Sequence, residues 1–299
     1  METFEVVLPS GKSLKGTSWV KEGSTRNLVM HTGMNEYSAR YDRFALYLNE
    51  QGIDVHILDA EGQGKNVSSP EEQEKWTVGA FDLSIDCLAE KIKELRKQGK
   101  PVYLMGHSMG SFMVQRLLER YPHISDGVVI CGSNGPNAKG LMSIAAVLSN
   151  MIVHKSNWDK PSGLLSNLGL GAYTKSVKDR KTDNDWLSYN EENVRLYNED
   201  PYCGHRNTNG FWRVFLNGMK YVWRPKEMKK VSKEERIFII AGDSDPVGAN
   251  GKGPKALYDA YKKLGINDVT LKIYPHMRHE IHNEDDYLTV YKDIAEFLK

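Results

Sequence analysis

The sequence predicts an α/β fold, with a mainly parallel central sheet, helices on both faces and a helical insertion between two core strands. Three observations carry this. Short apolar runs alternate with segments of helical periodicity from residue 27 to residue 132. The same rhythm returns near the end of the chain, over 236–298. Between them, residues 134–228 are rich in Asn, Lys, Trp and Tyr and hold no strand pattern. Alternating β and α segments need crossover connections, which place helices on both faces of a parallel sheet. The expected organisation is a core made of residues 1–133 and 229–299, with 134–228 as a helical cap.

The elements follow in order. "TFEVVL" and "LKGTSWV" alternate like antiparallel strands around a "PSGK" turn. "NLVMH" is the third strand, and residues 37–50 read as a helix. "DVHILD" reads as a buried strand. Over 78–97, Phe81, Ile85, Leu88, Ile92 and Leu95 recur at three and four, so one helical face is buried. "VYLMG", a helix over 108–121 and "GVVICG" follow. The later strands are "RIFIIAG" and "VTLKIYP", with helices over 253–264 and 284–298. In the insertion, "LMSIAAVLSNMIV" is strongly apolar. It suits a helix packed on its neighbours and also a lid lining an apolar site.

Composition excludes several classes. The 299 residues are 40% apolar and 26% charged, which is ordinary for a globular chain. The net charge of +1 provides no field for nucleic acid, and Lys226, Lys229 and Lys230 read as solvated surface. Cys87, Cys131 and Cys203 are few, odd in number and outside any metal-ligand spacing, so they fit buried thiols in a reducing compartment. The N-terminal stretch lacks an apolar signal segment, and no run approaches a membrane span. A cytoplasmic protein is expected, without metal or cofactor. His205, near Cys203, reads as structure and not as a ligand.

The candidate chemistry begins at "GHSMG". A Gly-x-Ser-x-Gly arises by chance in about one chain in ten of this length at average Gly and Ser usage. Here Ser108 stands where a strand ends and a helix begins. Gly106 and Gly110 allow the tight turn that exposes a serine hydroxyl, and Met109 would offer its backbone N–H to an oxyanion. A serine needs a base. "YPHMRHEIHNE" offers His276, His279 and His282 after the last strand. Of these, His282 reads as surface and His279 is the middle candidate. "AGDSDPVG" offers Asp243 and Asp245, the latter before a proline that favours an extended or turn conformation. Ser, then Asp, then His, each just past a strand, is the triad order of the α/β-hydrolases. The loop after the third strand, "HTGMNEYSARY", should supply the second oxyanion donor; Gly33 permits close approach and Met34 N–H is the candidate.

"HTGMNEYSARYDRFALYL", "DAEGQG", "GHSMGS", "GDSDPVG", "YPHMRHEIHNE" and the insertion's "DNDWLSYNEENVRLYNEDPYCG" together resemble the serine-hydrolase family of monoacylglycerol lipases and bacterial lysophospholipases. The likeness spans nearly the whole chain. It implies an α/β-hydrolase fold with Ser108 as nucleophile, Asp245 as triad acid and His279 as base. It also implies Met34 and Met109 as oxyanion donors, and a cap that forms an acyl-chain tunnel. Two segments depart from the family pattern. Thr32 replaces the family's His before Gly33, with His31 one place earlier, and Glu61-Gly62-Gln63-Gly64 replaces Arg-Gly-His-Gly. Both segments support the oxyanion loop.

The expected function is an ester hydrolase working through an acyl-enzyme on a single-acyl lipid, monoacylglycerol or lysophospholipid. Transient contact with a membrane surface through the apolar cap is expected. A carboxylesterase or thioesterase for small soluble esters is the alternative. A peptidase of this fold would need an acidic or carbonyl-lined pocket for a free amine, which the sequence does not show, and a dehalogenase or epoxide hydrolase would carry Asp in place of Ser108. A non-catalytic binding protein would be favoured by a broken triad, whereas all three members are present.

Overall fold

The structure, a computed structural model, describes all residues from 1 to 299. One eight-stranded sheet has the order β1-β2-β4-β3-β5-β6-β7-β8. Its strands are β1 (Glu2–Val7), β2 (Ser13–Trp19), β3 (Arg26–His31), β4 (Ile53–Leu58), β5 (Val102–His107), β6 (Val128–Cys131), β7 (Ile237–Gly242) and β8 (Val269–Tyr274). β1 and β2 run antiparallel, and β2 also pairs antiparallel with β4. From β4 to β8 every pairing is parallel.

The strands that read as continuous apolar runs do so because both faces are covered. Alternate residues serve opposite cores. Val29, Leu104, Val128, Ile130, Ile237 and Ile239 join a large cluster with α2 (Ala80–Arg96), α3 (Met109–Arg120) and α10 (Lys252–Lys263). Leu28, Met30, Met105, Val129, Phe238 and Ile240 join a second cluster with α1 (Asp42–Glu50) and α11 (Tyr287–Phe297).

Two helix starts differ from the sequence reading by more than the end of a turn or carry a different first turn, and a buried carboxylate is involved in each. The first turn of the helix expected from residue 37 is a 3₁₀ turn, Ser38–Tyr41. There Asp59 takes hydrogen bonds from Ser38 N and Oγ at 2.7 and 3.1 Å. The last helix starts at Tyr287, not at 284, because the Glu284 carboxylate is turned onto Ser188, Tyr189 and Arg278 N. In the first case a buried carboxylate holds the backbone at the expected helix start; in the second the carboxylate belongs to the expected first residue and is engaged elsewhere.

The insertion is helical, as its pattern predicts. It comprises α4 (Lys139–Ile152), α5 (Gly163–Leu168), α6 (Leu170–Ser176), α7 (Glu191–Glu199), α8 (Asn209–Met219) and α9 (Pro225–Met228). α4 has two characters. Met142, Ala145, Leu148 and Ile152 pack on the core, while Leu141, Ile144 and Met151 are 67%, 70% and 69% exposed. No helix is long and apolar enough to cross a membrane.

The strand order reverses at β3, with β4 on one side and β5 on the other. Open α/β sheets bind ligands in the crevice at such a switch point, beyond the carboxyl ends of the strands. The loops after β3 and β5 carry Met34 and Ser108. Close backbone approach holds them together: a Cβ on Gly110 would lie 2.3 Å from His31 O and 2.7 Å from Thr32 O. Gly110→Ala is therefore expected to cost roughly 1–3 kcal/mol through overpacking. Gly140→Ala, with open space around its Cβ, should leave stability unchanged or slightly raised. Urea unfolding of the two variants measures the contrast.

Candidate active site

Ser108 forms the corner between β5 and α3, with φ 52° and ψ −119°. A non-glycine residue in that region is strained, and such strain persists only where surrounding structure enforces it. Ser108 N donates to Cys131 O at 3.0 Å, and Ser108 O accepts from Ser111 N at 2.9 Å and from Ser111 Oγ. Gly106 and Gly110 do not themselves take the positive φ. Their role is proximity: a Cβ on Gly106 would meet Gly110 O at 2.4 Å. Met109 opens α3, and its N–H is among the free donors of a helix N-terminus.

Asp245, in the turn after β7, is fully buried. Its Oδ1 accepts from Val247 N at 2.9 Å and pairs with His279 Nδ1 at 3.0 Å. Asp243 is exposed, its carboxylate taking the Ser244 hydroxyl. Burial thus separates two aspartates that spacing could not. His279 is buried, and its Nε2 has no hydrogen-bond partner. Its ring lies over Gly132, the residue after the carbonyl that holds Ser108 N; a Cβ there would sit 3.1 Å from His279 Cε1. His276 is exposed and stacks on Tyr189. His282 does not lie on the surface as the sequence suggested. It is buried and stacked on Tyr41, because the 3₁₀ turn Ile281–Asn283 directs it inward.

The loop after β3 is braced from within. Glu36 Oε1 accepts from Gly33 N at 2.6 Å, Tyr41 OH at 2.6 Å and His107 Nδ1 at 3.1 Å. A Cβ on Gly33 would stand 2.4 Å from that same oxygen and 3.2 Å from Ser108 Cβ. No hydrogen bond takes up the Met34 N–H. Thr32, in the place where the family has His, is fully buried with an unpartnered hydroxyl. Its carbonyl accepts from His31 Nδ1 at 2.9 Å.

Arg40 extends the brace to the histidine loop. It holds Glu280 with two hydrogen bonds of 2.6 and 2.8 Å and reaches Glu36 at 3.3 Å. Asn193, from α7 of the insertion, bonds to both Arg40 and Glu280. Burial acts to raise the Glu280 carboxyl, but the Arg40 charge and hydrogen bonds outweigh it and hold Glu280 well below the usual range. Glu36 is likewise lowered: burial is outweighed by the hydrogen bond and charge of His107 and by Arg40. His107 moves upward, because Glu36 outweighs burial. Glu36, Arg40, Tyr41 and Glu280 were not singled out from the sequence. The i, i+4 spacing of Glu36 and Arg40 is a signal of pairing, but only the fold brings Glu280 to them.

The insertion completes the surroundings. Trp186 lies 5.1 Å from the His279 ring, centroid to centroid, with Tyr173 behind it. Glu280 N donates to Leu187 O at 2.7 Å, and Arg278 Nη1 donates to Asp185 O at 2.7 Å. A surface groove of about 850 Å³, lined by Phe81, Trp158, Arg213 and Tyr221, lies between α2, α4 and α8 and does not include Ser108. His107, Cys131 and His282 bring potential ligand atoms within 4.8 Å of one another. Burial, with the charges of Asp245 and Glu36, pushes the Cys131 thiol well up. A thiol so held is a poor ligand, since metals take the thiolate.

Comparison with known proteins agrees with this architecture. The family model described as "Hydrolase_4: Serine aminopeptidase, S33" matches residues 24–286. Monoglyceride lipase of Rattus norvegicus is 26% identical over 294 residues, covering 93% of this chain and 84% of that protein. Monoacylglycerol lipase of Mycolicibacterium smegmatis is 22% identical, covering 94% and 90%. A thermostable carboxyl esterase from Bacillus coagulans, solved in complex with glycerol, superposes with a TM-score of 0.81 at 25% identity, covering 100% and 98%. The fold is that of the α/β-hydrolases.

The charge network makes a pH prediction. Glu36 and Glu280 are lowered in the folded protein, so their contribution to stability is present above the unfolded carboxyl range near 4.5 and is lost as pH falls through their depressed values. Arg40→Ala leaves two buried carboxylates without their cation, at a cost of roughly 3–5 kcal/mol. It should also move acid unfolding to higher pH. Circular dichroism against pH and urea checks both effects.

Proposed function

Because the chain belongs to the serine aminopeptidase S33 family of hydrolases, we propose that it cleaves single-acyl lipid esters through an acyl-enzyme on Ser108. Monoacylglycerols stand ahead of lysophospholipids, since relatives named for the former align over nearly the whole chain. The observation that carries the reading is the strained Ser108 corner, with Met109 N–H beside it and the buried Asp245–His279 pair across Gly132.

In this reading His279 Nε2 takes the hydroxyl proton as Ser108 Oγ attacks the ester carbonyl. Asp245 keeps the Nδ1 proton in place and stabilises the imidazolium. The oxyanion receives hydrogen bonds from Met34 and Met109 N–H. His279 then protonates the departing alcohol. A water, deprotonated by the same nitrogen, releases the fatty acid and restores Ser108.

An aminopeptidase reading needs a free carboxylate or a ring of carbonyls to hold the substrate's ammonium. Glu36 and Glu280 are already engaged by His107, Tyr41 and Arg40, which favours the ester. The alternative of small soluble esters is supported by the likeness to the Bacillus esterase. The exposed apolar face of α4 suits contact with a lipid surface.

A fluorophosphonate probe should label the wild type, and Ser108→Ala should abolish both labelling and turnover, a loss of roughly 10⁴-fold or more. Turnover of glycerol monoesters should persist as the acyl chain lengthens; loss beyond short chains would establish the soluble-ester alternative. Replacing Leu141, Ile144 and Met151 by Ser should weaken binding to lipid vesicles and leave turnover of a soluble ester unchanged.

A further inference from the structure

The departure at Gln63 leads to a cluster that the proposed mechanism does not use. Gln63 Nε2 donates to Glu74 Oε1 at 2.9 Å. Asn207, from the insertion, donates through Nδ2 to Glu74 Oε2 at 2.9 Å and to Asn35 Oδ1 at 2.7 Å. Asn35 directly follows Met34, the proposed oxyanion donor. The backbone is fastened at the same point: Glu74 N donates to Gly62 O at 2.8 Å, Thr208 Oγ1 to Glu74 O at 2.8 Å, and Gly204 N to Asn35 O at 3.1 Å. Glu74 and Asn207 are fully buried and Asn35 nearly so. Asn35 and Glu74 both have φ of 61°, a conformation that non-glycine residues hold only under constraint.

We propose that Glu74 is a positioning residue that clamps Asn35, and with it the Met34 N–H, between the core loop at Gln63 and the cap segment at Asn207. This rests on the reading of Met34 as an oxyanion donor. The partners of the Glu74 carboxyl are the neutral amides of Gln63 and Asn207, and no cation pairs with it. A fully buried carboxyl without a counter-charge favours its neutral form. Burial pushes Glu74 up to about 8, against hydrogen bonds from Gln63, Asn207 and the Asn35 N–H.

The segments packed around Glu74 carry Glu61 and Lys65, His205 and Arg206, Glu36, and Lys75 on its own strand of chain. The causes of its shift are burial and these hydrogen bonds, with no charge among them. Because its folded value is raised, the stabilisation is fully present below the unfolded carboxyl range and is lost as pH rises through about 8. Ionisation there places an uncompensated charge inside the clamp and loosens the oxyanion loop.

The test compares wild type, Glu74→Ala, Glu74→Gln and Asn207→Ala on a soluble p-nitrophenyl ester across pH, with amide exchange of residues 33–36 measured in parallel. Glu74→Ala and Asn207→Ala should lower kcat by about 10- to 100-fold with little change in KM, since a misplaced donor weakens only the transition state. Their 33–36 amides should exchange faster. Glu74→Gln, a permanently neutral isostere, should recover most of kcat and lack the alkaline fall expected of the wild type through about pH 8. Unchanged exchange and kcat in the alanine variants, or the same alkaline fall in Glu74→Gln, would overturn the clamp. Should Glu74→Ala fail to fold, Glu74→Gln and Asn207→Ala carry the decision. A wild type that neither turns over ester nor takes the fluorophosphonate would contradict the hydrolase reading instead, and the exchange measurement would still decide the clamp.

Discussion

The hydrogen bonds converging on Glu36 Oε1 set the geometry on which the rest of the site depends. One buried oxygen receives the Gly33 amide, the Tyr41 hydroxyl and the His107 imidazole. The loop after β3 is thereby fixed to the strand that leads into Ser108. Removing a carboxylate from water is expensive unless its lone pairs and charge are satisfied. Here the cost is offset by Arg40, and Arg40 is itself neutralised by Glu280, the neighbour of His279. The electrostatic requirement of one carboxylate therefore joins the three loops whose relative positions the proposed chemistry needs.

The same logic makes the insertion part of the site and not an appendage to it. Asn193 completes the Arg40–Glu280 pair, Trp186 covers His279, and the 185–190 segment is fastened to the histidine loop through Arg278 and Glu284. At the opposite side Asn207 and Thr208 are fastened to Glu74. Two polar anchors fix the later half of the insertion, while α4 presents Leu141, Ile144 and Met151 outward.

Much of the fold was legible because its signals are local. Parallel strands covered on both faces read as apolar runs, and α2 showed its buried face by periodicity alone. The order of Ser108, Asp245 and His279 was legible because each follows a strand. The tertiary hydrogen bonds were not. Glu74 and Asn207 are 133 residues apart, and nothing in either neighbourhood marks a partner. His282 differs for a related reason: proximity to the closing helix suggested the surface, whereas the turn after His279 rotates it onto Tyr41. The glycines flanking Ser108 also changed meaning. Sequence suggested that they supply the turn, but the strained φ belongs to Ser108 itself, and the glycines make room for neighbouring backbone.

The central claim is that Ser108 attacks an acyl carbon whose oxygen is received by two backbone amides held in place by this network. A crystal structure of the protein after reaction with a long-chain alkylphosphonate tests it most directly. The account predicts a covalent bond from phosphorus to Ser108 Oγ, with the phosphoryl oxygen about 2.7–3.1 Å from both the Met34 and Met109 nitrogens and His279 Nε2 in contact with Oγ. A phosphonate attached to another residue, or one whose oxygen points away from both amides, would contradict it.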